Sequence, residues 1–377
     1  MILSMEVASG MESFDPIIDE RLFLGNLTAA ESPRTMARLG ITHIVSVCPD
    51  LVQAAAPINH LVIPIEDNDE SNILQYLTNT CAFIHAAIRS GGKVFLHCVM
   101  GISRSATVVC AYLMFARRIS AAGAIEFLRK CRPKSRPNYN FTRQLLVFSA
   151  CEYQVASNKA PYRLWLQRQT FDIANGIRVV DAMRITDGLF LSFNLPSRLE
   201  QSSILLDHLG ITHIVSINPD QVTSSPNPAA LCSSRVHKHF IAPYTSKEAL
   251  LLSLPLLCKF IETALQSPSS RVILHSMDET RAGLALCAYA MFSLKVGALE
   301  ALALLQDCVP SFETEPSFLH QIELFASCQH IPTSRHPLVR AWVSGKPRSV
   351  VDVGTVSTPP KFTKTHPPLI PSMSVGA

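Results

Sequence analysis

The fold is decided by residues Val94–Ser105, which read VFLHCVMGISRS. Three apolar residues lead into His97 and Cys98, a loop containing Gly101 follows, and a helix-forming run continues to Arg118. In a loop between a strand and a helix N-terminus the backbone N–H groups point inward, and the helix dipole adds partial positive charge. The segment therefore predicts a phosphate-binding loop with a thiol at its floor.

The residue types in this loop suit nucleophilic attack on a phosphate ester. A thiol beside a guanidinium at a helix N-terminus ionises readily, which predicts Cys98 as the nucleophile. Arg104 can bind two phosphoryl oxygens at once. Gly101 permits a tight loop, Ser105 offers a hydroxyl to the departing sulfur, and His97 orders the loop from behind. The alternative is a buried, inert cysteine before an ordinary helix.

Residues His97–Met114, which read HCVMGISRSATVVCAYLM, resemble the extended signature of the dual-specificity phosphatases, a branch of the cysteine-based protein tyrosine phosphatases. Leu22–Gly25 and Pro137–Leu145 match further family segments, so the resemblance spans about residues 15–153. It implies a central mixed sheet flanked by helices and a mechanism without metal or organic cofactor. It also implies that the phosphoryl group is bound by Val99, Met100, Gly101, Ile102, Ser103 and Arg104.

A general acid is expected within Glu66–Glu70, because the departing ester oxygen needs a proton. This acidic loop follows the apolar run Leu61–Ile65 and precedes a predicted helix. The resemblance places the acid at Asp67, with Asp69 as the alternative. We expect Asp69 and Glu70 instead to cap the next helix.

The surrounding pattern predicts an α/β domain. Apolar bursts at Arg21–Leu24, Thr42–Val47 and Leu61–Ile65 indicate strands. Between Asn72 and Ser90 apolar residues recur every three or four positions, which predicts an amphipathic helix. Strands and helices therefore alternate.

An internal repeat predicts two copies of this fold. Leu39–Ser46, LGITHIVS, recurs unchanged as Leu209–Ser216, and Cys110–Phe115 recurs with one change as Cys287–Phe292. The repeat predicts two tandem phosphatase-like domains. The expected boundaries are a flexible N-terminus at 1–14, an active domain at 15–153, a linker at 154–177, a dead domain at 178–330 and a disordered basic Pro/Ser/Thr-rich tail at 331–377.

The second copy lacks the reactive groups. Ser276 replaces the thiol, and a hydroxyl without a general base is a poor nucleophile. Asp278 and Glu279 would repel a phosphate, and Ile241–Glu248, where the acid loop is expected, contains no Asp. The sequence predicts a pseudophosphatase domain, with residual phosphoprotein binding through Arg281 as the alternative.

Composition narrows the class of protein. The net charge of +4 over 377 residues gives no reason to expect a nucleic-acid partner. The eleven cysteines lack paired spacing, which favours a reducing cytoplasmic or nuclear compartment, and the longest apolar runs are too short to predict a membrane span. The basic run Arg129–Pro137 either attracts an acidic substrate or is solvated surface.

The combined prediction is a dual-specificity protein phosphatase acting on phosphotyrosine and phosphoserine or phosphothreonine. Its expected partners are a phosphorylated protein substrate and a regulatory protein bound by the second domain or the basic tail. Val99, Met100 and Ile102 are apolar where a lipid phosphatase would carry Lys. The alternatives are a scaffold or phosphoprotein-binding protein, and a phosphoinositide or RNA phosphatase.

Overall fold

A computed structural model of the chain describes residues 11–49, 58–219 and 235–345. Apart from Val309–Phe312, these residues divide into two compact units at Ala174–Asn175. Among the described residues each unit contains one five-stranded sheet flanked by helices, which confirms the predicted α/β class.

In the first unit the strands are β1 Phe14–Ile18, β2 Leu22–Gly25, β3 His43–Ser46, β4 Asn59–Val62 and β5 Val94–His97. The helices are α1 Leu27–Ala30, α2 Pro33–Leu39, α3 Leu74–Arg89, α4 Arg104–Arg117, α5 Ala121–Cys131, α6 Tyr139–Ala150 and α7 Ala160–Asn175. The predicted amphipathic helix is confirmed as α3.

The sheet of the first unit has the strand order β1-β2-β5-β3-β4, in which β1 is antiparallel to β2 and the other pairs are parallel. Alternate residues of β5 face opposite layers of helices. Leu96 packs into the larger core with α3 to α6, while Phe95 packs with α1 and α2 on the other face. The central position of β5 brings its carboxyl end, and therefore Cys98, to the middle of the sheet edge.

The second unit repeats this arrangement. Its strands are β6 Met183–Arg184, β7 Leu189–Ser192, β8 His213–Asn218, β9 Val236–Ile241 and β10 Val272–His275, in the order β6-β7-β10-β8-β9. Its helices are α8 Leu199–His208, α9 Ala249–Ala264, α10 Glu279–Leu294, α11 Ala298–Cys308, α12 Pro316–Ser327 and α13 Pro337–Val343. The strand order matches the first unit position by position.

Three predicted boundaries differ from the structure. The N-terminal segment 1–14 was expected to be flexible, but Ser13 already hydrogen-bonds Asn26. The expected linker 154–177 contains α7, which packs on the first unit because Trp165 enters its core. The expected tail contains α13, anchored by the buried Val339, and residues 346–377 of that tail, with residues 1–10, lie outside the described residues.

In the described part of the chain, no single helix has the length and apolar composition needed to cross a bilayer. Two pairs of helices meet these requirements only together, and each pair is bent by more than 100°.

Candidate active site

The Cys98 thiol lies at the floor of the loop between β5 and α4. It is 2% exposed, and its Sγ accepts hydrogen bonds from the Gly101 N–H and from the Ser105 hydroxyl, both at 3.2 Å. Two donors aimed at one sulfur stabilise the thiolate form. The predicted nucleophile and the predicted sulfur-stabilising hydroxyl are therefore in contact.

Three carbonyl groups of the loop are bound by donors outside it, while the Gly101 N–H points inward to the Cys98 sulfur. The outside donors are the Leu27 N–H to Val99 O at 3.1 Å, Arg132 Nε to Gly101 O at 3.0 Å and the Arg136 N–H to Ile102 O at 2.8 Å. The φ of Gly101 is +66°, and a Cβ there would collide with the carbonyl of Gly25. The cradle for a tetrahedral anion is thus shaped by the protein itself.

Arg104 is held at the rim of the loop with donors to spare. Its Nη1 donates to Ile65 O at 3.1 Å, and its Nε lies 3.8 Å from Asp67 Oδ2. This buried Nε has no hydrogen-bond partner among the described residues. A phosphoryl oxygen in the loop would satisfy a donor that is costly to leave unpaired.

Asp67 reaches the loop from the segment between β4 and α3. Its Oδ1 accepts a hydrogen bond from the Ser103 hydroxyl and one from Asn138 Nδ2, each at 2.8 Å. Ser103, which the sequence placed among the phosphate-binding residues, therefore also orients the carboxylate. Asn138 additionally caps α6 by accepting from the Phe141 N–H at 2.8 Å, so it ties the acid loop to that helix.

The expected capping of α3 by Asp69 and Glu70 is wrong. The residue before α3, Ile73, makes no side-chain cap, and the Leu74 N–H donates instead to Gln144 Oε1 of α6 at 2.9 Å. A tertiary contact across 70 residues therefore satisfies a donor that local side chains were expected to satisfy.

His97 lies behind the loop and is fully buried. Its Nε2 is 2.5 Å from the hydroxyl of Ser46, which in turn lies 2.7 Å from His60 Nε2. Burial lowers the pKa of His97 to about 4, so the ring is neutral near pH 7. It links β5 to β3 and β4 as an uncharged group behind the loop.

The remaining loop side chains form the surface around the thiol. Met100 is 62% exposed, while Val99 and Ile102 are half-buried. The surface around the thiol is therefore partly apolar, as the residue types at positions 99, 100 and 102 indicated.

Sequence analysis missed the role of Arg132. This side chain is 1% exposed, and besides binding Gly101 O it pairs with Asp15 of β1. The basic run Arg129–Pro137 was expected either to attract substrate or to be solvated, and Arg132 does neither. The basic run was the only feature of the sequence that drew attention to Arg132. Its partners Gly101 and Asp15 lie 31 and 117 residues away along the chain.

The corresponding loop of the second unit contains a carboxylate. Asp278 Oδ1 accepts the Arg281 N–H at 3.2 Å, and its Oδ2 lies 3.4 Å from Arg281 Nε and 3.3 Å from the Tyr244 hydroxyl. Arg281 also donates to Ala242 O, as Arg104 does to Ile65 O. The guanidinium of this loop is therefore already paired with an anion of its own chain.

Comparison with known proteins agrees with this site. The model of the dual specificity phosphatase catalytic domain matches residues 22–151. Tyrosine-protein phosphatase yvh1 of Schizosaccharomyces pombe is 35% identical over 158 residues, which are 42% of this chain and 48% of that protein. The chain thus spans about half the length of this relative.

A human relative matches over most of its own length, both in sequence and as a solved structure. Dual specificity phosphatase 28 of Homo sapiens is 39% identical over 125 residues, covering 33% of this chain and 71% of that protein. The crystal structure of human DUSP28 is similar at 33% identity, covering 37% of this chain and 95% of that one, with a TM-score of 0.36. The chain therefore belongs to the dual-specificity phosphatases, and the family's catalytic domain lies at residues 22–151.

Proposed function

We propose that the chain is a protein phosphatase that hydrolyses phosphotyrosine and phosphoserine or phosphothreonine through a cysteinyl-phosphate. The observation that carries this proposal is the Cys98 sulfur, which accepts two hydrogen bonds at the floor of an anion cradle. Family membership supports the same activity.

In the first step the Cys98 thiolate attacks phosphorus, an S–P bond forms and the ester P–O bond breaks. Asp67 gives its proton to the departing oxygen, so the leaving group departs as a neutral alcohol or phenol. Arg104 and the inward amides stabilise the charge on the equatorial oxygens.

In the second step Asp67, now ionised, takes a proton from water, and the water oxygen attacks phosphorus. The S–P bond breaks, orthophosphate forms, and the Ser105 hydroxyl stabilises the returning thiolate. The nucleophile in this scheme is sulfur, so the chemistry requires no metal ion or organic cofactor.

A phosphorylated protein is the substrate class that we favour. The exposed Met100 and the half-buried Val99 and Ile102 offer apolar surface, whereas an inositol phosphate with several phosphoryl groups calls for added cations. A phosphoinositide or RNA phosphate is the enzymatic alternative, and a scaffold or phosphoprotein-binding role is the alternative outside catalysis.

The second unit is proposed to be a pseudophosphatase domain. Ser276 stands where the thiol would be, and Asp278 pairs with the one arginine that corresponds to Arg104. We place the protein in the cytoplasm or nucleus, and a regulatory partner for the second unit or the basic tail belongs to the same proposal. Residues 346–377 of that tail lie outside the described residues.

The experiment compares hydrolysis of phenyl phosphate and 4-nitrophenyl phosphate by the full chain and by Cys98→Ser, with EDTA present. Turnover that disappears in Cys98→Ser supports the thiolate mechanism, and phosphopeptide, phosphoinositide and capped-RNA panels then separate the substrate classes. A well-folded chain that hydrolyses nothing would contradict the proposal and favour the scaffold.

A further inference from the structure

Helix α7 belongs physically to the first unit although it follows the residues matched by the family, which end at 151. One face of α7 is buried, because Trp165, Gln169 and Asp172 are each less than 5% exposed. These positions are spaced by four and three residues, the repeat that aligns side chains along one side of a helix. This buried face packs α7 against the first unit, beside α6.

Two contacts fix α7 on either side of Gln169. Trp165, one turn before it, lies in the core of the first unit. Asp172, on the next turn, accepts hydrogen bonds from Arg143 of α6 at 3.3 Å and from Arg168 at 2.6 Å. Both anchors are buried, so the Gln169 side chain projects from a helix that has little freedom to shift.

Gln169 itself binds the acid loop. Its Nε2 donates to the backbone carbonyl of Asp69 at 2.9 Å, two residues beyond Asp67. The neighbouring carbonyls are bound by α6, since Asn140 Nδ2 donates to Asn68 O and to Ser71 O. The side-chain amides of Asn140 and Gln169 therefore bind three carbonyl groups of the acid loop. Gln169 is the one of the two that follows residue 151, where the family match ends.

We propose that Gln169 is a positioning residue for the general acid, acting through the Asp69 carbonyl on the placement of Asp67. The expected change in catalytic rate rests on the proposed function, whereas the expected loosening of the acid loop does not. The physical reason is that proton transfer depends steeply on distance, so a loop displaced by a fraction of an ångström slows the step that needs the acid.

The test uses the full chain with Gln169→Ala and Gln169→Glu. The Glu variant keeps the size of the side chain but its carboxylate cannot donate to a carbonyl. Gln167→Ala is the matched control, because Gln167 is an exposed glutamine on the same helix. Asp67→Asn, alone and combined with Gln169→Ala, provides the reference for complete loss of the acid.

The kinetic readout is the dependence on the leaving group. Phenol departs poorly and needs a proton, whereas 4-nitrophenol departs readily. Both Gln169 variants should lower kcat/KM for phenyl phosphate, which reports the acid-dependent first step alone, by about 3- to 30-fold, and lower it less for 4-nitrophenyl phosphate. In the Asp67→Asn background Gln169→Ala should add almost nothing. Equal losses on both substrates, or full additivity with Asp67→Asn, would overturn the proposal.

A second readout does not depend on activity. Amide hydrogen exchange across residues 67–71 should be faster in both Gln169 variants than in the parent and in Gln167→Ala. Unchanged exchange would overturn the proposal. If the parent chain hydrolyses neither ester while exchange still accelerates, the proposed function fails and the bracing of the loop by Gln169 stands.

Discussion

Ser103 and Asp67 are joined by a hydrogen bond of 2.8 Å in which the Ser103 hydroxyl donates to Oδ1 of the carboxylate. Asn138 donates to the same oxygen, so Oδ1 is an acceptor twice over. A proton on the carboxyl group must therefore reside on Oδ2, the oxygen that lies 3.8 Å from Arg104 Nε. The hydrogen bond between Ser103 and Asp67 therefore leaves Oδ2 as the oxygen that can carry a proton toward the phosphate loop.

Ser103→Ala tests this arrangement, because Ser103 makes no side-chain cap on α4 and its removal leaves that helix end unchanged. Loss of one donor lets the Asp67 carboxyl rotate, and we expect kcat/KM for phenyl phosphate, which reports the acid-dependent first step, to fall about tenfold. Steady-state kinetics on phenyl and 4-nitrophenyl phosphate measure the effect, with the exposed Ser90→Ala as control. A variant that loses equal activity on both esters would show that Ser103 serves the loop and not the acid.

Arg132→Met should weaken both the first unit and its anion cradle. The substitution leaves the Gly101 carbonyl without its donor and removes the pair with Asp15, and an unpaired buried carbonyl costs about 1–3 kcal/mol. Urea unfolding of the full chain measures the free energy, and inhibition by orthovanadate measures the cradle. Lys130→Met is the control, since its exposed pair with Glu126 should contribute at most about 0.5 kcal/mol. Unchanged vanadate affinity would argue against a role for Arg132 in shaping the loop.

Two buried histidines predict that stability falls on mild acidification. Burial lowers the pKa of His97 and of His275 to about 4, from the ordinary value of 6.5. Below pH 6.5 the unfolded chain binds protons that the folded chain refuses, so the free energy of unfolding decreases as pH falls. The expected loss is about 2 kcal/mol per histidine by about pH 5, before ordinary carboxyl groups titrate fully.

Unfolding of the full chain as a function of pH measures this dependence. His275→Gln removes one titrating ring from the second unit. The free energy of unfolding should then depend less steeply on pH, by the contribution of that ring. An unaltered slope in that variant would mean that other groups cause the loss.

The second unit should gain an anion site when Asp278 is removed. Its carboxylate pairs with Arg281, so a bound oxyanion would have to displace it. Titration with tungstate should give about one site per parent chain and about two for Asp278→Ala, with the exposed Asp187→Ala matching the parent. In a Cys98→Ser background, Ser276→Cys should still give no turnover, because the segment Ile241–Glu248, which corresponds to the acid loop, contains no Asp. Turnover from that double variant would show that Ser276 alone accounts for the missing activity and that the second unit needs no Asp at the position of the acid loop.

The sequence predicted those parts of the site that lie in consecutive residues. Cys98, Gly101 and Arg104 share one strand, loop and helix start, so their spacing alone predicts a phosphate-binding loop. Arg132 and Gln169 were not predictable, because they meet their loop partners across 31 and 100 residues. Such contacts depend on how helices pack, which local patterns do not encode.

The same reason explains why α7 and α13 were expected to be linker and tail. Each helix buries few residues, Trp165 being the main apolar anchor of α7 and Val339 that of α13. Helix α7 is largely polar and α13 has only 7 residues, so each carries a weak periodic signal, and the stability of each comes from packing rather than from its own sequence. The domain core was therefore easier to predict than its C-terminal edge.

The identical segments Leu39–Ser46 and Leu209–Ser216 contain β3 and the first four residues of β8, two strands that occupy the same place in two different sheets. One neighbour of each is also nearly alike, since β5 reads VFLH and β10 reads VILH. The side chains of β3 and β8 therefore do little to determine whether each strand pairs with β5 or with β10. Correct pairing must come from chain connectivity, and the first unit, which leaves the ribosome first, has the advantage of closing its sheet before the competing copy exists.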